Sequence, residues 1–148
     1  MQRSDEIVTA ARTWLGTPYR HQHRHKGHGC DCVGLIIGVG LELGILPGWT
    51  PENWRSHAAY GRNPNPAHMK RALAQYMDPH QGDALPPDGA VAWMGWRASL
   101  PMHLGIIGSS PDGYRTLIHA YSGAGSVVEH RLSEDWLARV ESWWLYPT

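Results

Sequence analysis

Phenylalanine is absent from this 148-residue chain, and cysteine occurs only twice. Cys30 and Cys32 stand one residue apart, a spacing at which a bridge has poor geometry, so a disulfide framework is excluded as the source of stability. A reducing place of synthesis fits. An excess of charge of one sign is also lacking, since thirteen Lys and Arg offset thirteen Asp and Glu. A phosphate backbone as main partner needs basic excess, which argues against nucleic acid. Long apolar runs are missing too. The longest, Cys32 to Leu41, is about half of the roughly 20 residues that a membrane span needs. The opening "MQRSDEIVTAAR" has no apolar h-region, so no export signal is expected and the chain reads as soluble and made in the cytoplasm.

What is present is unusual in its own way. Eight Trp replace the missing Phe, and Trp combines apolar area with an N–H donor, which suits core and partner surfaces before sugar stacking. A chain of this length buries about two-thirds of its unfolded surface, enough for one domain over residues 1–148 and no second. The stretch "RHQHRHKGHGCDCVGL" packs His21, His23, His25, His28, Cys30 and Cys32 into a short span. Residues 1 to 28 carry five Lys and Arg against two acids, a local surface that favours anions.

Helical spacing in "SDEIVTAARTWLG" puts Ile7, Val8, Ala11, Trp14 and Leu15 on one face, with Ser4 as cap and Gly16 past the end. "CVGLIIGVGLELG" predicts a second helix capped by Asp31 and buried nearly all round; its Gly34, Gly38 and Gly40 imply close packing. Pro47 to Pro66 reads as an ordered loop, and "NPAHMKRALAQYM" as a helix with Asn65 as cap and Pro66 first. The period then changes. "AVAWMGW", "MHLGIIGS", "RTLIHAY" and "SVVEHRL" are strand-like runs separated by "RASLP", "SPDGY" and "SGAG", which predicts an antiparallel meander. "SEDWLARV" predicts a short helix and "SWWLYP" a closing strand. Helices first and strands after is an α+β order, with N-terminal helices packed on an antiparallel sheet.

A cysteine in the first turn of a buried helix meets unsatisfied N–H groups and the helix dipole. These conditions lower a thiol from ~8.5 to roughly 3.5–7.5 in known cases. Cys32 holds that position and is the expected nucleophile; Cys30 lies before the cap. A thiolate also needs a base, and the base an orienting group. His103 opens "HLGIIGS" and His119 lies in "LIHAYS", with the tight "SPDG" turn between, so neighbouring antiparallel strands can bring the two rings together.

These residues, as "WLGTPYRH", "GCDCVGL", "HLGIIG" and "IHAYSG…VVEHRL", are similar to the NlpC family of cell-wall cysteine peptidases, and most to its phage and gene-transfer-agent branch. The resemblance runs from about Ala10 to the terminal "WWLYP". It implies a papain-like core with Cys32 as nucleophile, His103 as base and acid, and His119 as the third polar residue. Tyr19 would help the Cys32 N–H bind the oxyanion. The implied reaction is amide hydrolysis in the peptidoglycan stem peptide, typically between the D-glutamate γ-carboxyl and diaminopimelate, with no metal or cofactor. The branch further implies tail or baseplate proteins as partners, and a tail that carries the enzyme to the wall. Two departures stand out. Val33 follows the nucleophile where Ser is common, and "PDGAVAW" reverses the family's Gly-Asp step, which is expected to change how that strand begins.

Other readings of the same residues remain open. A structural zinc site needs four converging ligands at spacings that Cys-x-Cys with His-x-His-x-His does not offer, so a solvated basic loop is the simpler account of the tract. Papain-fold acyltransferases or amidases acting on another substrate use Cys and His as well, and a structural tail adaptor with a metal-binding His tract would keep the fold without the chemistry.

Overall fold

The computed structural model of the protein describes residues 3–46, 66–95 and 101–147. Helix α1 is Arg3–Arg12, with Asp5 and Glu6 in its first turn and Arg12 in its last, both complementing the helix dipole. Ile7, Val8, Ala10 and Ala11 face the core. Ser4 lies inside this helix rather than capping it. The helical face also ends earlier than the spacing predicts: Trp14 is buried, but Leu15 is 42% exposed because the chain leaves the helix at Arg12.

Two short strands, β1 (Arg24–His25) and β2 (Gly29–Cys30), pair antiparallel and deliver the chain to helix α2, Cys32–Leu43. Asp31 caps α2, its Oδ1 accepting from the Gly34 amide at 2.8 Å and its Oδ2 from the Gln22 amide at 2.8 Å. Gly44 ends the helix in the left-handed region at φ 65°. The glycines inside α2 mark where neighbours press in. A Cβ on Gly34 would overlap the His23 carbonyl, one on Gly38 the Trp14 indole, and one on Gly40 the Leu46 side chain.

Helix α3 is Pro66–Tyr76, which agrees with Pro66 at the first position; Asn65 and most of the Pro47–Pro66 loop lie outside the described residues. The strands that follow are β3 (Asp78–Pro79), β4 (Val91–Gly95), β5 (Pro101–Ser109), β6 (Arg115–Tyr121) and β7 (Ser126–Arg131). Helix α4 (Glu134–Leu137) and β8 (Val140–Leu145) complete the order. The sheet order is β3-β8-β4-β5-β6-β7. β4 to β7 form the expected meander, while β8 returns past α4 to pair with β4. The reversed Asp-Gly step makes a turn before β4: Gly89 has φ 92°, and Asp88 Oδ1 accepts from Arg115 and Ser109.

Helices α1 and α2 cover one sheet face. There Leu35, Val39, Ile106 and Ile118 are fully buried, each worth about 1.5–3 kcal/mol in apolar transfer. The opposite face carries a smaller cluster of Ala92, Met94 and Leu117 under Trp136, Val140 and Trp143. The architecture is α+β.

Candidate active site

The ladder between β5 and β6 runs from Ile106↔Ile118 to Ser109↔Arg115, and the start of β5 is held by β4 through Met94↔His103. The tip of α2 meets β5 at this start. Cys32 Sγ lies 4.0 Å from the Met102 carbonyl oxygen, and the Leu104 amide donates toward the sulfur, so the thiol rests against the backbone on both sides of His103. Tyr19 also lies near Cys32. It bridges to Cys30, and its amide donates to the Gly125 carbonyl at 2.9 Å. The hydroxyl is pushed up to about 12, first by burial and then by the neighbouring Cys32, Asp31 and Cys30.

His103 and His119 meet ring to ring, with His103 Nε2 at 2.7 Å from His119 Nδ1. His119 is fully buried and His103 is 6% exposed. The chain of rings does not stop there. His119 Nε2 lies 2.8 Å from His130 Nε2, and His130 Nδ1 lies 2.8 Å from the Arg131 carbonyl oxygen. Tyr121 stacks on His119 at 5.2 Å between ring centres, and Trp136 sets its ring against both His119 and His130 at 4.9 and 5.0 Å.

Solved structures share this fold. The NlpC/p60 domain of the peptidoglycan hydrolase SagA matches with a TM-score of 0.56 at 19% identity, over 97% of this chain and 98% of that one. A Staphylococcus aureus Mu50 protein, described as similar to lipoprotein of the NLP/P60 family, matches with a TM-score of 0.63 at 16% identity. That match spans 98% of this chain and 41% of the other. The fold is that of NlpC/p60 domains. No family model matches the sequence, and no curated protein does.

Within this NlpC/p60 fold the electrostatics differ from the sequence expectation in one respect. Cys32 is not acidified by its helix. Burial pushes the thiol up to about 12 and Asp31 adds to the rise, while the amides of Leu104, Val33 and Cys32 itself pull the other way. With only 8% of Cys32 exposed, desolvation outweighs the dipole. Burial lowers His103 to about 4. At neutral pH both the Cys32 thiol and the His103 imidazole therefore rest neutral.

The histidine tract lies on the surface. His21, His23, His25 and His28 lie exposed around the β1–β2 hairpin, while Cys30 and Cys32 turn inward. Among the described residues, no group of three or more His, Cys, Asp or Glu is arranged to hold a metal ion. Two members of the site escaped the sequence reading: His130 and Trp136. His130 had a usable signal, since a histidine diagonal to His119 across a short hairpin shares its face. Trp136 had none, because a ring contact between a short helix and a neighbouring strand leaves no mark in local spacing.

Proposed function

We propose that the chain is a cysteine peptidase that hydrolyses an amide bond in the peptidoglycan stem peptide. The observation that carries this reading is the thiol seated against the backbone that flanks a buried histidine, whose ring is itself held by another histidine. The likeness to the NlpC/p60 domain of a peptidoglycan hydrolase supports the substrate class.

In this reading the neutral pair reacts without a stored ion pair. As Cys32 Sγ attacks the scissile carbonyl, its proton passes to His103. His103 then protonates the leaving amine, and a water that gives its proton back to His103 hydrolyses the thioester. The Cys32 N–H and the Tyr19 hydroxyl stabilise the oxyanion, each worth on the order of 10²- to 10³-fold in comparable sites. The sequence resemblance supports the γ-D-glutamyl–diaminopimelate bond as target. It also supports delivery to the periplasmic wall by a phage-like tail, with tail or baseplate proteins as partners.

Digestion of purified peptidoglycan, with mass spectrometry of the new amine and carboxyl ends, tests the proposal. Wild type should release stem-peptide fragments ending at D-glutamate, and Cys32→Ala should release none while keeping the wild-type circular dichroism spectrum. Equal release by both proteins would overturn it.

A further inference from the structure

His130 completes a relay with a defined direction. Across the β6–β7 ladder Leu117 pairs with His130 and His119 with Val128, which places His119 and His130 diagonally on one face. Three contacts then link Arg131 to His103: 2.8 Å from the Arg131 carbonyl to His130 Nδ1, 2.8 Å from His130 Nε2 to His119 Nε2, and 2.7 Å from His119 Nδ1 to His103 Nε2.

The carbonyl oxygen sets the polarity because it only accepts. His130 must therefore carry its proton on Nδ1, and a neutral His130 can offer only a lone pair at Nε2. His119 must then donate from Nε2, which leaves the lone pair on its Nδ1. His103 in turn donates from Nε2 and keeps its lone pair on Nδ1. Nδ1 is the ring nitrogen nearer a histidine's own backbone, and the backbone around His103 is where Cys32 Sγ rests. Burial, reinforced by both neighbouring rings, lowers His119 to about 2, so the middle of the relay stays neutral. Tyr121 and Trp136 wall in the rings and limit their rotation. No buried side-chain nitrogen or oxygen lacks a partner among the described residues.

We propose that His130 is a positioning residue which, through His119, holds His103 in the Nε2–H tautomer and so keeps the Nδ1 lone pair for the Cys32 proton. The proposal rests on the reading of Cys32 as nucleophile and His103 as base. Without an acceptor at position 130, His119 can reverse, donate from Nδ1 and drive the proton of His103 onto the wrong nitrogen, a fault that is costly in related triads.

The test combines ¹⁵N NMR of the histidine rings in the full chain with kinetics on peptidoglycan for His130→Phe and His130→Gln. In wild type, His103 should show a protonated Nε2 and a bare Nδ1. His130→Phe should mix the two tautomers and lower kcat on the order of 10²-fold, the lower end of a general base's contribution, with KM little changed. His130→Gln, whose carbonyl can accept from His119 Nε2, should recover most of both signals. A bare Nε2 on His103 in wild type would overturn the relay. So would a His130→Phe variant with unchanged tautomer and kcat, or equal losses in Phe and Gln that track thermal stability alone. The NMR pattern does not depend on turnover, so a wild type with the predicted tautomer that cleaves no peptidoglycan would instead count against the hydrolase reading.

Discussion

Cys30 and Cys32 both have raised thiols, yet the two sulfurs sit in different places. Burial pushes both thiols up to about 12, with Asp31 adding to each. What separates them is place: the Cys32 sulfur rests against β5, while Cys30 is sealed in β2 with no exposed surface. In the proposed mechanism, reactivity therefore comes from proton transfer to His103 and not from a pre-formed thiolate. In a Cys30→Ala background, iodoacetamide should alkylate Cys32 slowly at pH 7, at a rate that keeps climbing through the alkaline range. A plateau reached near neutral pH would mean that the dipole of α2 outweighs burial after all. The position of Cys32 at a helix tip was legible in "GCDCVGL", and so was its cap. Its protonation state was not, because desolvation depends on which strand closes over the sulfur.

At the scale of the element, α2 is the part that turns sequence into site geometry. Its glycines lower helix propensity, and in an exposed helix replacing one by alanine should stabilise by roughly 1 kcal/mol. At Gly38 the sign should reverse, because the added Cβ would overlap the Trp14 indole, which is pinned by its Nε1–H to Glu42 at 3.0 Å. Overpacking of this kind costs about 1–3 kcal/mol. Urea unfolding of Gly38→Ala should therefore show a midpoint below that of wild type; a raised midpoint would refute the contact. Close packing against these glycines could be read from "CVGLIIGVGLELG", although not which side chain does it. β6 was equally legible, since "RTLIHAY" is a β-rich run bounded by turn residues, and the strand has those same bounds. β8 was legible as a strand but not as a neighbour of β4, because pairing across α4 leaves no trace in local periodicity.

Over the whole molecule, burying a row of imidazoles makes stability depend on pH. His103 falls to about 4 and His119 to about 2 when folded, each first because of burial, against about 6.5 in an unfolded chain. Below about pH 6.5 the unfolded chain takes up protons that the folded one refuses, so folding stability is full above that pH and drains as the medium acidifies. The loss should be on the order of 1 kcal/mol per pH unit for each ring, down to about pH 4 for His103 and further for His119. Urea midpoints at pH 7 and pH 4.5 should differ accordingly, with a smaller difference in His119→Gln; equal midpoints would mean that the rings are hydrated. By itself the sequence determined the order of the longer helices and strands (though not the short strands β1, β2 and β3), the capped helix that begins at Cys32, and the two histidines joined by a tight turn. All of these follow from local spacing and turn chemistry. Only the tertiary structure decided that the thiol stays protonated, that β8 flanks β4, and that His130 and Trp136 extend the ring chain. Each of these depends on which distant surfaces exclude water from one another, and that is a property of packing and not of any short stretch of chain.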